Sequence, residues 1–168
     1  GLVSLEQSVD GLVYHNIASL LASGQGNFWY LPYFESHLER FTDHPPLGIY
    51  ATSLWITAFG SSAFSIKALY FVLAGLIFAC LAVLAKTTSA CVWLVCLTFL
   101  LMPATIEYLP FLLLDAQIAL LSLIAVWCCL KAQQSLFWAI PFGLIVAAGF
   151  LTKGPIALFT LAAPLGLW

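Results

Sequence analysis

The sequence predicts an all-α fold of polytopic membrane helices with a polar extracytoplasmic loop, and three observations carry that prediction. Of the 168 residues, 63% are hydrophobic and only 7% charged, against roughly 25% charged in a soluble domain. Uncharged runs extend from Thr87 to Ile106 and from Ala132 to Thr152, each matching the ~20 apolar residues that cross a hydrocarbon core of about 30 Å. The charges are also unevenly spread, with Glu6, Asp10, Glu35, Glu39 and Asp43 set against Arg40 in residues 1–44. Neither nucleic acid nor an acidic headgroup surface is a fitting partner for such a loop.

Residues 1–65 read as this loop, with two short helices lying beside the membrane. In the first, about 11–23, Val13, Tyr14, Ile17, Leu20 and Leu21 share one face at helical spacing, and His15, Asn16, Ser19 and Ser23 share the other. Leu12 is the exception on the polar side. The stretch is too short and polar to span, so its apolar face is expected against the membrane surface. Asp10 stands at its start, where a carboxylate can cap free backbone N–H groups. Gly24 to Asn27 end the helix. Phe28, Trp29, Tyr30 and Tyr33 then cluster around Pro32, either as an aromatic belt at headgroup level or as a platform for stacking sugars.

The second short helix is expected at about 46–59, started by Pro45 and Pro46 and closed by Gly60, Ser61 and Ser62. Its apolar stretch falls below the ~17 residues a span requires, so it should not cross. Residues 66–168 then form a transmembrane bundle with helices at about 66–85, 88–106, 111–131, 134–152 and 155–168, the last cut short. Four spans and the start of a fifth are expected. The chain opens at Gly1 and stops inside an apolar run at Trp168, so it reads as a fragment, with a further span upstream of Gly1. The five cysteines lie in apolar runs without zinc or redox spacing, and read as lipid-facing or packing residues.

If residues 46–59 stay on the loop side, the alternating spans place Lys86 and Lys131 on one face, made cytoplasmic by positive-inside bias. Asp10, Asp43, His44, Glu107, Asp115 and Lys153 then gather on the other. An ionisable residue at the edge of an apolar segment is a functional candidate by default. Asp115 sits between Leu114 and Ala116 in such a segment, with an interfacial helix cap as the plainer reading. Lys153 precedes Gly154 and Pro155, where a cation beside freed backbone amides would attract phosphate; a snorkelling lysine is the competing account. Asp43 and His44, with His37 or His15, are weak candidates for zinc or manganese ligands. No nucleotide-binding loop is visible, so no nucleotide cofactor is expected, while a divalent cation remains open.

The strings DGLVYHNIASLLASG, FTDHPPLGIY, FG with SIKALY, LLLDAQIAL and LTKGPIAL, in that order, resemble the membrane glycosyltransferases of the protein-mannosyltransferase and aminoarabinose-transferase type, which have the GT-C fold. The resemblance covers nearly the whole chain. It implies an inverting transfer of a sugar from a polyprenyl-phosphate carrier to a hydroxyl of a lipid, glycan or protein acceptor, on the non-cytoplasmic face of a multi-pass, bacterial inner-membrane protein. By that resemblance Asp10 is the general base, Asp115 positions the acceptor or a metal, and Lys153 stabilises the leaving phosphate. Tyr14, Asp43 and His44 would line the same cavity. The chain departs from many relatives in having Gly11 after the first Asp rather than Glu. These residues alone are expected to be inactive. The alternative is a transporter or flippase segment whose intramembrane charges line a substrate path, with the charges near the midplane rather than gathered at one face.

Overall fold

The computed structural model describes residues 9–33, 40–103, 105 and 113–164, with side chains from Gly11 onward in the first stretch and from Leu114 onward in the last. The regular structure among the described residues is helical, apart from two isolated bridge pairs, Asn27 with Tyr30 and Pro32 with Arg40. In chain order the α-helices are α1 (Val9–Ala22), α2 (Leu47–Phe59), α3 (Ala63–Thr87), α4 (Val92–Leu101), α5 (Leu113–Ala132) and α6 (Ala139–Lys153). A 3-10 turn, Leu136–Trp138, leads into α6, and a 3-10 segment, Gly154–Ala162, follows it. Among the described residues three stretches are long and apolar enough to cross a membrane: Ala63–Thr87, Leu114–Ala132 and Leu136–Ala162.

Local chemistry sets these limits. Pro46 precedes α2, where its fixed φ of -80° suits a helix entry. Gly60 closes α2 at φ 81°, a left-handed value that glycine adopts without a Cβ clash. Ser62 starts α3 two residues later, its hydroxyl accepting from the Ser65 N–H at 3.2 Å. Trp55 Nε1 of α2 donates to Ser65 O at 3.1 Å and so ties the two helices at their junction.

Of the helix expected over 88–106, α4 is described, with 104 and 106 outside the described residues. Met102 leaves the helix at φ -63° and ψ 125°, as a residue before proline does when the Pro103 ring disfavours the helical well. The stretch Leu136–Ala162 is not one straight rod. Gly154 turns at φ 73° and ψ -146°. A Cβ built on Gly149 would lie 3.0 Å from Ala157 Cβ, whereas eight residues of α-helix rise about 12 Å. The 3-10 segment therefore folds back along α6. Leu136 to Lys153 remains the membrane-crossing limb, rising roughly 27 Å at 1.5 Å per residue.

The bundle has two distinguishable ends. Leu69, Leu73 and Ile77 of α3 are buried with Ala116 of α5, with Ala119, Leu120 and Leu123 packed on them. Ile66 and Leu114, in the first turns of α3 and α5, are buried together with Ile49, so the two helices start at one end and run parallel. Trp127 near the end of α5 meets Trp138 at 5.0 Å between ring centroids, so α6 starts at that far end and returns. Phe78 and Phe99 pair at 5.5 Å where α4 comes back along α3. The outward faces are apolar: Phe64, Phe71, Trp93, Leu94, Leu144 and Phe150 are all exposed, as lipid-facing side chains would be.

Across the near end lies α2. It meets the first turns of α3 and α5 and the last turn of α6 on one side and α1 on the other. Ile49 is buried with Ile66 and Leu114. Gly48 approaches so closely that a Cβ there would fall 2.5 Å from Leu114 Cδ2, 2.7 Å from Gln117 Oε1 and 2.8 Å from Thr152 Cγ2. Gln117 Nε2 donates to Gly48 O and to Thr52 Oγ1, each at 3.2 Å. An apolar helix fastened in this way caps the bundle rather than threading it.

The partner of α1 is this cap. Tyr14, Ile17 and Ala18 are buried with Leu31, Phe41, Ile49 and Ile56. The apolar face expected against the membrane surface is thus covered by protein, because α2 offers an apolar counterpart of similar length. Leu12, the exception to the pattern, is exposed.

Candidate functional site

The site is assembled where the HPPLG segment, which packs on α1 through His44 and Tyr14, meets the start of α5 and the end of α6. Lys153, the last residue of α6, donates from Nζ to Oδ1 of Asp115 in the first turn of α5. The side chains are 19% and 39% exposed respectively, so the pair is reached from outside without being surrounded by water. Two flanking groups are buried: Leu114 beneath the acid and Thr152 before the lysine. Thr152 donates its hydroxyl to Ala148 O at 2.8 Å and needs no other partner there.

The lysine's backbone surroundings differ from expectation. Gly154 breaks the helix but its N–H donates to Phe150 O, and Pro155 has no N–H to offer. Freed amides beside the cation are therefore not available at these two positions. Lys153 is also half-enclosed rather than exposed, because Asp115 draws it inward. Its anion-binding capacity rests on the ammonium group and its three donors.

His44 approaches from the other side. Its ring lies 5.5 Å from that of Tyr14 in an edge arrangement and 6.3 Å from that of Phe41. Tyr14 meets Phe41 at 6.1 Å. Pro45, next in sequence, stands beside Gly154, its Cδ and Cγ 3.9 Å from where a glycine Cβ would be. The chain from Tyr14 through His44 and Pro45 thus leads to the Asp115–Lys153 pair. Asp43 is exposed at the edge of this path.

Asp10 lies in the first turn of α1, four residues before Tyr14 and hence on the same face of the helix; its side chain falls outside the described residues. Glu6, Glu35, His37, Glu39 and Glu107 lie outside them altogether. Among the described residues no group of three or more His, Cys, Asp or Glu gathers to hold a metal ion. Asp43 and His44 therefore have no third ligand there, and His44 packs among aromatic rings instead. His15, expected on the solvent side of α1, is half-buried, and its Nδ1 has no hydrogen-bond partner among the described residues. Burial pushes its pKa below the usual value.

Two participants had no signal strong enough to single them out. Gln117 follows Asp115 by two residues within an apolar run, and its amide fastens α2. Gly48 reads as an ordinary residue after two prolines, yet it is the contact point of three helices. No family model, no curated protein and no solved structure matches this chain.

Proposed function

We propose that the protein is a glycosyltransferase that moves a sugar from a polyprenyl-phosphate carrier to a hydroxyl acceptor at the non-cytoplasmic membrane face, with inversion at the anomeric carbon. The observation that carries this reading is the Asp115–Lys153 pair at one end of the bundle, beneath the cap helix and beside the segment bearing His44. A lipid-linked donor needs this combination: apolar helix faces for the prenyl chain and a cation at the level of its phosphate. Lys153 supplies the cation. As the bond between the anomeric carbon and the phosphate oxygen breaks, negative charge grows on the leaving phosphate, and a preplaced ammonium stabilises that charge more than the ground state.

Asp115 holds Lys153 in position and accepts hydrogen bonds from sugar or acceptor hydroxyls with its remaining lone pairs. Asp10, on the Tyr14 face of α1, takes the proton of the acceptor hydroxyl as its oxygen attacks the anomeric carbon. Tyr14 and His44 form the wall between them. A membrane transporter is the second reading. It is less favoured because Asp115 and Lys153 sit at the end of the bundle, whereas a transport path needs its charges near the midplane.

The test is Asp10→Asn in the intact protein, assayed for transfer from a panel of polyprenyl-phosphate sugars. Loss of turnover with donor binding retained is the expected result. Undiminished turnover in that variant removes Asp10 from the base role, and no turnover of any donor by the unmodified protein removes the reading itself.

A further inference from the structure

The loop holds a concavity apart from the Asp115–Lys153 pair, with His44 in its lining and Pro45, next in sequence, beside Gly154. It encloses about 180 Å³ and is lined by Phe28, Trp29, Leu31, Arg40, Phe41 and His44, among others. Its walls are fixed by the backbone. Asn27 Oδ1 accepts from the Trp29 N–H at 2.9 Å and the Tyr30 N–H at 3.0 Å. The Phe41 N–H donates to Leu31 O at 2.9 Å, which clamps the Arg40 strand against the aromatic segment. Gly26 makes the preceding turn at φ 94°, where a Cβ would lie 2.6 Å from Tyr30 O.

Phe28 braces Trp29 edge-on at 4.8 Å and is itself braced by Tyr50 of α2 at 5.3 Å. Trp29 nonetheless remains 72% exposed, an unusual state for a ring so firmly supported. Among the described residues Arg40 is the one Lys, Arg, Asp or Glu lining the concavity, and it is exposed. Among the described residues the ion pair is Lys153 with Asp115, so no carboxylate there matches Arg40. Asp43 is not part of the lining.

We infer that this concavity is a saccharide subsite, in which a sugar ring stacks on Trp29 while a carboxylate or phosphate on that sugar binds the Arg40 guanidinium. The inference rests on the sugar-transfer reading and names its substrate class: an anionic saccharide. The electron-rich face of an indole attracts the polarised C–H face of a pyranose, and the planar fork of arginine matches the two oxygens of an anionic group. His44 lines the concavity and also packs on Tyr14. The His44 ring therefore stands between a sugar held there and the Tyr14 face of α1, on which Asp10 lies.

The experiment is saturation-transfer NMR on the intact protein in lipid nanodiscs, with methyl β-glucuronide, glucose 6-phosphate and methyl β-glucoside as probes. Ring protons of at least one anionic sugar are expected to saturate about threefold more than those of the neutral glucoside, since charge-assisted hydrogen bonds are the stronger. The stronger of the two anionic probes identifies the substituent. Arg40→Gln erases the preference, Trp29→Ala abolishes ring saturation, and Trp29→Phe, which keeps an aromatic face, retains it and so separates stacking from folding. Equal saturation by charged and neutral sugars, or variants without effect, overturns the subsite. So does quenching of Trp29 fluorescence by brominated acyl chains with no sugar saturating, which would make the aromatics a membrane-interface belt. Binding without turnover in the unmodified protein overturns the transfer reading alone; turnover with unchanged Arg40 and Trp29 variants overturns the subsite alone.

Discussion

Lys153 donates to Asp115 across 38 residues of sequence, joining the last residue of one membrane helix to the first turn of another. A paired lysine at such a place has two separable duties, holding α5 to α6 and presenting positive charge. Lys153→Met removes both, and in the intact protein transfer from a polyprenyl-phosphate sugar should fall on the order of 10²–10³-fold, as when one charge-stabilising donor is lost. The exchange Asp115→Lys with Lys153→Asp tells the duties apart. It should recover thermal stability in detergent without recovering turnover, because the cation then sits on the wrong helix. Full activity in the exchanged protein would assign the pair to structure only.

The cap helix offers a test independent of chemistry. Gly48→Ala places a methyl group 2.5 Å from Leu114 Cδ2 and 2.7 Å from Gln117 Oε1, and overpacking of this kind costs about 1–3 kcal/mol. Gly75→Ala, in the middle of α3 with nothing within 4 Å of the added carbon, should be neutral or stabilising by about 0.5–1 kcal/mol through helix propensity. Thermal unfolding of both variants in the same detergent measures the contrast. Equal melting temperatures would mean that α2 is not seated on α5 and α6.

Much of the helix layout was legible because hydropathy and turn residues report it directly. The expected helices at 11–23 and 46–59 compare with Val9–Ala22 and Leu47–Phe59. Proline acted less predictably. Pro45 and Pro46 mark a helix start after a polar loop, whereas Pro103 stands inside an apolar run that hydropathy alone carries through, and there Met102 takes an extended conformation. Composition measures the water-to-lipid preference of a segment and says little of where its backbone turns. The site was legible as a set of charges on one face, not as contacts. Nothing in LLLDAQIAL or LTKGPIAL states that the acid and lysine touch, nor that Gln117 reaches Gly48. Such pairings depend on the rotation of each helix about its axis, which a nearly all-round apolar pattern leaves unspecified.

His15 gives the fold a dependence on pH. Its pKa lies below the usual 6.5 because burial disfavours the charged ring. The folded state therefore prefers neutral His15, so this contribution to stability is present above the unfolded value and is lost as pH falls through the lower folded value. The melting temperature should decline as the pH falls below the ordinary 6.5, and His15→Gln should flatten that decline. An identical pH profile in the variant would place the sensitivity elsewhere.

Sidedness is the last consequence and the most exposed to disproof. Because α3 and α5 run parallel, Lys86 and Lys131 in their last turns share the end opposite Lys153. Positive charge flanking spans is retained in the cytoplasm, so the loop with Arg40 and His44 should face outward. Replacing the five cysteines, with alanine at the buried Cys128 and Cys129 to avoid stranding a hydroxyl, gives a background for single-cysteine labelling. A membrane-impermeant maleimide applied to intact cells or sealed right-side-out membranes should label Thr42→Cys in the exposed loop. It should reach Lys86→Cys and Lys131→Cys only after the membrane is permeabilised. Labelling of Lys131→Cys together with Thr42→Cys from outside would put the two ends of α5 on the wrong faces, and a donor phosphate at Lys153 would then have no access from the proposed side.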